Sequence, residues 1–240
     1  MEGYMDMREL VATVIIGSGA LRFGQFRLKL HESNPEAPLS PVYLNLRTSF
    51  HPDPNKRGPL TEAHCSIIGR ALADMTVRLP NFQGFVAGLP YAADPFVGAV
   101  SNMPEWCGQI RFVSLAKYID PESGNRCIVP ERKNSYPVGR NVVLWDDLIT
   151  MADSKIEAAN SLMLMGCDVT DIIVLVDCQQ GGSEKLVNMG FRVHSILPFL
   201  NYLLPFARQT GYVEKDDWDR CCEYFGSQGH PLSDNPTAFV

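Results

Sequence analysis

Apolar positions along the chain change their spacing repeatedly, and each change marks an element. Over residues 4–16 they fall at Met7, Leu10, Val11, Val14 and Ile15, which predicts a helix stopped by Gly17-Ser18-Gly19. Residues 23–30 and 42–46 alternate or run apolar as strands do, and residues 34–40, with two prolines, read as the connection. After the Pro/Gly-rich turn at 52–59, Thr61 suits a helix cap, and Ile67, Ile68, Ala71, Leu72 and Met75 form one stripe through Val77. Strand and helix patterns then take turns: strands over 85–87, 110–113, 141–145, 172–177 and 193–196, and helices over 94–100, 154–165 and 184–189. That alternation predicts an α/β fold with a doubly wound, mostly parallel sheet and helices on both faces. Ligands of such sheets sit at the carboxyl ends of the strands, so the loops after Ala87, Trp145 and Asp177 are the places to search.

The periodicity lapses over residues 118–140, a polar, turn-rich stretch of the length usual for functional loops. From Gly211 onward, Trp218 and Tyr224 suit a short helix, followed by an irregular end over 226–240. The expected organisation is one domain over residues 1–210, with its core at 60–204, and a C-terminal extension over 211–240.

Composition narrows the class. A chain of 240 residues, 45% hydrophobic, is long enough for a sizeable core. No stretch approaches the roughly 18 to 20 apolar residues that cross a bilayer, and residues 1–10 lack a basic targeting start, so a cytoplasmic location with no membrane partner is expected. Seven cysteines without a C-x-x-C pair, and five histidines without zinc-site spacing, read as reduced structural thiols. A net charge of −6 with no Lys/Arg run excludes a broad nucleic-acid surface. Any phosphate must therefore be gripped locally, by backbone N–H groups at a helix N-terminus or by a divalent cation. Gly17-Ser18-Gly19 is not a dinucleotide loop, because Arg22 occupies the third glycine's place and the preceding run is helical.

The strongest local chemistry lies at Val142-Val143-Leu144-Trp145-Asp146-Asp147-Leu148-Ile149-Thr150. An apolar strand ending in two acids and passing through Thr150 into a helix suits a sugar phosphate. Asp146 and Asp147 would hold ribose hydroxyls directly or through Mg²⁺, while Thr150, Met151, Ala152, Asp153 and Ser154 offer N–H groups to the phosphate. The same residues also suit a plain solvated strand end, with Asp153 or Ser154 capping the next helix.

This block resembles the orotate phosphoribosyltransferase family, which carries here an apolar strand, two acids, two apolar residues, Thr, a small residue, Gly and Ser or Thr. The match departs after Thr150: Ala152 stands at the glycine and Asp153 at the hydroxyl. Gly88-Leu89-Pro90-Tyr91 resembles the family's pyrophosphate loop, with Asp94 replacing an apolar residue. Phe23-Gly24-Gln25-Phe26-Arg27-Leu28-Lys29 resembles the segment whose lysine contacts the base, and Tyr43 is the aromatic retained on the next strand. In Val176-Asp177-Cys178, Cys178 stands where the family's arginine pairs with the orotate carboxylate. Of the family's mobile catalytic loop only Lys117 is kept, with Arg126, Arg132 and Lys133 as possible replacement cations.

The resemblance covers about residues 23–204, its blocks occurring in the family's order. It implies a type I phosphoribosyltransferase fold with a small N-terminal hood over residues 1–50, a homodimer, Mg²⁺, and phosphoribosyl pyrophosphate or a nucleoside monophosphate as ligand. Two functions follow. One is transfer of ribosyl 5-phosphate from phosphoribosyl pyrophosphate to a nitrogenous base, with the arginine that pairs with orotate's carboxylate replaced; the other is a non-catalytic nucleotide-binding, regulatory or scaffold role on the same fold.

Overall fold

The computed structural model describes residues 6–28, 30–119, 121, 124, 126–131 and 136–236. They form two compact units, one of Met1–Thr61 with Leu197–Val240 and one of Glu62–Ile196.

In the first unit, helix α1 (Met7–Gly17) starts at Asp6, whose carboxylate accepts from the Arg8 N–H, and buries Val11, Ala12, Ile15 and Ile16. Of the expected stripe, Val11 and Ile15 are buried and Met7, Leu10 and Val14 partly so, the buried face being turned toward Ala12 and Ile16. Strand β1 (Leu21–Phe26) pairs antiparallel with β2 (Ser40–Leu44), with an irregularity between Phe23 and Phe26. The strand predicted to reach Leu30 stops at Phe26 because His31, on the short helix α2 (Leu30–Ser33), stitches a turn. Its Nδ1 accepts from the Leu28 N–H at 2.9 Å, leaving Nε2 to donate to the Ala37 carbonyl at 3.1 Å.

The same unit holds three later elements: a π-helical turn (Phe199–Leu203), α7 (Leu204–Gln209) and α8 (Lys215–Ser227). The first two are not evident in the sequence because the run is apolar on all sides and broken by Pro198 and Pro205, although Pro205 costs little within a first helical turn. The predicted short helix near Trp218 is 13 residues long. It buries Trp218, Cys221 and Phe225 at helical spacing, and the Phe225 ring packs edge-on against Phe199. Residues 228–236 form no helix or strand.

The second unit carries the mixed α/β core. Its strands are β3 (Phe85–Gly88), β4 (Arg111–Val113), β7 (Val142–Ile149), β8 (Asp171–Asp177) and β9 (Arg192–Pro198), in sheet order β4-β3-β7-β8-β9. The pairings β3–β4, β3–β7 and β7–β8 are parallel. Because side chains alternate along a strand, β7 serves two layers. Val142 and Leu144 join Ile172 and Val174 in a cluster with Ala158, Ala159 and Leu162 of α5 (Asp153–Leu164) and Leu186 of α6 (Gly182–Asn188). On the opposite face the buried Trp145 donates through Nε1 to Thr76 of α3 (Glu62–Val77) at 2.8 Å. Helices therefore cover both faces, and the near-continuous burial of β7 and β8 explains their unbroken apolar runs.

At the starting end of the sheet Asp171 is fully buried and bonded to Arg192, His194 and Thr170. Burial alone would raise its pKa, but these donors win and hold it near 2. The remaining strands, β5 (Leu115–Ile119) and β6 (Arg126–Pro130), pair antiparallel as a hairpin, so part of the stretch with no sequence period is ordered.

Candidate active site

Strand β7 runs through Asp146 and Asp147 rather than ending before them. Past Thr150 the chain turns through Met151, which is exposed, and Ala152, which is buried with φ +68°, to enter α5 at Asp153. The left-handed conformation expected of a glycine here is thus adopted by an alanine, at a cost of roughly 1 kcal/mol or more. Asp153, whose carboxylate would oppose a phosphate, meets Lys185 of α6 at 2.7 Å.

The acid pair is unequal. Asp146 is buried: its Oδ1 accepts from the Asp147 N–H at 2.9 Å and its Oδ2 is ion-paired with Lys155. Lys155 is itself buried and donates to the Leu148 carbonyl at 2.5 Å. Sequence reading missed this residue. The available signal was its place on the buried stripe of α5, with Ala158, Ala159 and Leu162, where a charge needs a partner. Asp147 is half-buried, with one oxygen accepting from the Leu148 N–H at 2.6 Å. Desolvation first, and then the charge of Asp146, push its pKa up to about 7.

A raised carboxyl pKa makes the fold favour the protonated acid. This contribution is intact below the unfolded value near 3.8 and is lost as pH climbs through the folded value. Asp147→Asn is therefore expected to match the wild type in thermal stability at pH 4 and to exceed it at pH 8, by roughly 1 to 2 kcal/mol allowing for partial exposure. Equal melting curves at both pH values would show that Asp147 is not desolvated.

Two other loops converge on this end of the sheet. Gly88 lies beside Trp145 in the β3–β7 register, and the Leu89 N–H donates to the Trp145 carbonyl at 2.9 Å. Gly88, Leu89 and Pro90 are buried, whereas Tyr91 is exposed with φ +69°. Asp94 is the first residue of helix α4 (Asp94–Ser101), and its carboxylate accepts from the Tyr91 N–H at 2.7 Å, holding that strained turn. Lys117 on β5 reaches the same turn, its Nζ 5.2 Å from the Tyr91 ring centre. Cys178 follows β8, and its N–H donates to the Ile149 carbonyl at 3.0 Å. Burial, with Asp177 and Asp147 nearby, pushes its thiol up to about 12, so it is a neutral S–H.

In the second unit the structure thus brings Asp146 and Asp147 on β7 to the same end of the sheet as Gly88 to Tyr91, Thr150 to Ser154 and Cys178, with Lys117 beside Tyr91. Tyr43 lies on β2 of the first unit, half-buried, its ring 5.5 Å from that of Phe26. Arg126 starts β6 and is exposed. Lys29, Arg132 and Lys133 lie outside the described residues.

No protein-family model matches the chain. Uridine 5'-monophosphate synthase of Caenorhabditis elegans is 24% identical over 207 residues, covering 85% of this chain and 36% of that protein. Orotate phosphoribosyltransferase of Methanopyrus kandleri is 28% identical over 190 residues, 79% of this chain and 88% of the relative. Among solved structures, UMP synthase of Leishmania donovani superposes with a TM-score of 0.66 at 26% identity, over 91% of this chain and 42% of that one. The chain spans only about a third of the worm relative's length. A parallel sheet with helices on both faces and these loops at its carboxyl end define a type I phosphoribosyltransferase fold. Within that class, the chain is similar in sequence to orotate phosphoribosyltransferases and UMP synthases.

Proposed function

We propose that the protein is a phosphoribosyltransferase that passes ribosyl 5-phosphate from phosphoribosyl pyrophosphate to a nitrogenous base other than orotate. The observation that carries the reading is strand β7, which pairs with the Gly88 to Tyr91 loop at Trp145, continues through Asp146 and Asp147, and passes by the Thr150 to Ser154 turn into α5. In this scheme Asp147 accepts from ribose hydroxyls, and the turn's N–H groups face the 5'-phosphate. The Gly88 to Tyr91 loop and Lys117 receive the pyrophosphate, whose charge grows as the glycosidic bond breaks. A neutral Cys178 offers no bidentate charged contact to a carboxylate, so the accepted base lacks orotate's acid group. Mg²⁺ is assigned to the pyrophosphate's own oxygens, because Asp146 does not fit the metal-ligand role expected of it: its side chain is buried and already neutralised by Lys155. A cytoplasmic homodimer completes the proposal.

Calorimetry with phosphoribosyl pyrophosphate and Mg²⁺ tests it: binding at or below millimolar concentration is expected, and its absence refutes the transferase. A screen of bases for pyrophosphate release then decides turnover and, if every base fails, favours a non-catalytic binding protein. The double substitution Ala152→Gly with Asp153→Thr relaxes the left-handed residue, removes a carboxylate and frees Lys185 for the phosphate. Affinity is expected to tighten by about tenfold or more, since roughly 1.4 kcal/mol corresponds to each decade. Unchanged affinity would place the phosphate elsewhere.

A further inference from the structure

Lys155 is a buried charge that the proposed reaction leaves unused. Its side chain and that of Asp146 are 6% and 4% exposed, and the two are ion-paired. The ammonium also donates to the Leu148 carbonyl, in the strand that carries the acids. The other oxygen of Asp146 accepts from the Asp147 N–H, and with the side chain only 4% exposed a hydroxyl or a metal reaches Asp146 only by opening the buried pair. Asp147, by contrast, is half-buried, and one of its oxygens accepts from the Leu148 N–H.

We infer that Lys155 is a built-in cation that takes the place of a divalent metal at the acid pair, withdrawing Asp146 from ligand contact and leaving Asp147 as its single working carboxylate. Lys155 is thus a positioning residue. A fixed ammonium neutralises one of two adjacent carboxylates without the six near-octahedral oxygen ligands that Mg²⁺ requires. It also fixes how α5 meets β7, and so the turn between them. The inference deepens the assignment of this pair to ribose and rests on it, but its test needs no ribose ligand.

Mn²⁺ alone serves as the probe, titrated into the full-length protein while the relaxation of water protons is followed. The wild type is expected to show no saturable Mn²⁺ binding at the pair, and Asp146→Asn no difference from it. Lys155→Met is expected to gain Mn²⁺ affinity of at least about tenfold, and adding Asp146→Asn to that variant to abolish the gain. Lys155→Gln, which keeps a donor for the Leu148 carbonyl and is the gentler change, is expected to gain affinity in the same direction. Wild-type binding that Asp146→Asn removes overturns the inference; so does a folded Lys155→Gln or Lys155→Met that binds Mn²⁺ no better than the wild type. Failure to bind phosphoribosyl pyrophosphate would refute the transferase and leave these metal titrations unchanged, so the two failures are distinguishable.

Discussion

Gly182→Ala is expected to destabilise the protein by about 2 to 3 kcal/mol, lowering the melting temperature by roughly 4 to 12 °C for a chain of this size. A Cβ at Gly182 would sit 2.2 Å from the Thr150 carbonyl oxygen, 2.8 Å from its carbon and 2.9 Å from Ile149 Cγ1. Two of those atoms are backbone, so the collision is not relieved by turning a side chain; α6 must move away or the Thr150 peptide must rotate. Either response displaces the turn proposed to face the phosphate, and ligand affinity should fall by tenfold or more. The neighbouring glycine separates space from conformation. Gly181 has φ +92° with nothing within 4 Å of a built Cβ, so Gly181→Ala bears backbone strain alone and should cost only about 1 kcal/mol. Comparable melting of the two variants would show that α6 does not approach Thr150 so closely.

That contact illustrates which parts of the molecule the sequence discloses. Strands β7 and β8 are legible because parallel strands buried on both faces must be apolar throughout, as Val142 to Trp145 and Ile172 to Val176 are. Helix α1 is legible because one face is wet. The loop sites are legible through short motifs, since Gly88 to Tyr91 and Asp146 to Thr150 each combine a strand end with distinctive chemistry. Partners far apart in the chain are hidden. Nothing near Lys117 announces that it will face the ring of Tyr91, and nothing near Asp153 announces Lys185, because α6 brings that lysine across 32 positions. Capping by a side chain is hidden too, as when His31 ends β1 early. The β5–β6 hairpin escapes because its outer residues, among them Lys117, Tyr118 and Ile119, are exposed and so leave no alternation to read.

The pairing of Asp146 with Lys155 is buried on both sides, and a double-mutant cycle measures what it contributes. Asp146→Asn leaves a buried ammonium without its counter-ion, and Lys155→Met leaves a buried carboxylate without its own; each is expected to lose about 3 kcal/mol, by the usual cost of breaking a buried pair. The double variant removes both charges and replaces the lysine stem with an apolar chain of similar length among Ala158, Ala159 and Leu162. It is therefore expected to lose about 3 kcal/mol rather than the roughly 6 kcal/mol of an additive pair, a coupling of about 3 kcal/mol. Urea unfolding at pH 7 provides the four stabilities, with equal slopes required for the comparison. Additive losses would mean that the ammonium and carboxylate do not meet in solution, returning Asp146 to the ribose as a second free acceptor. A strong coupling would mean that the helix carrying the phosphate turn is pinned to the strand carrying the acids by charge, so that a ligand encounters a site already neutralised on one side.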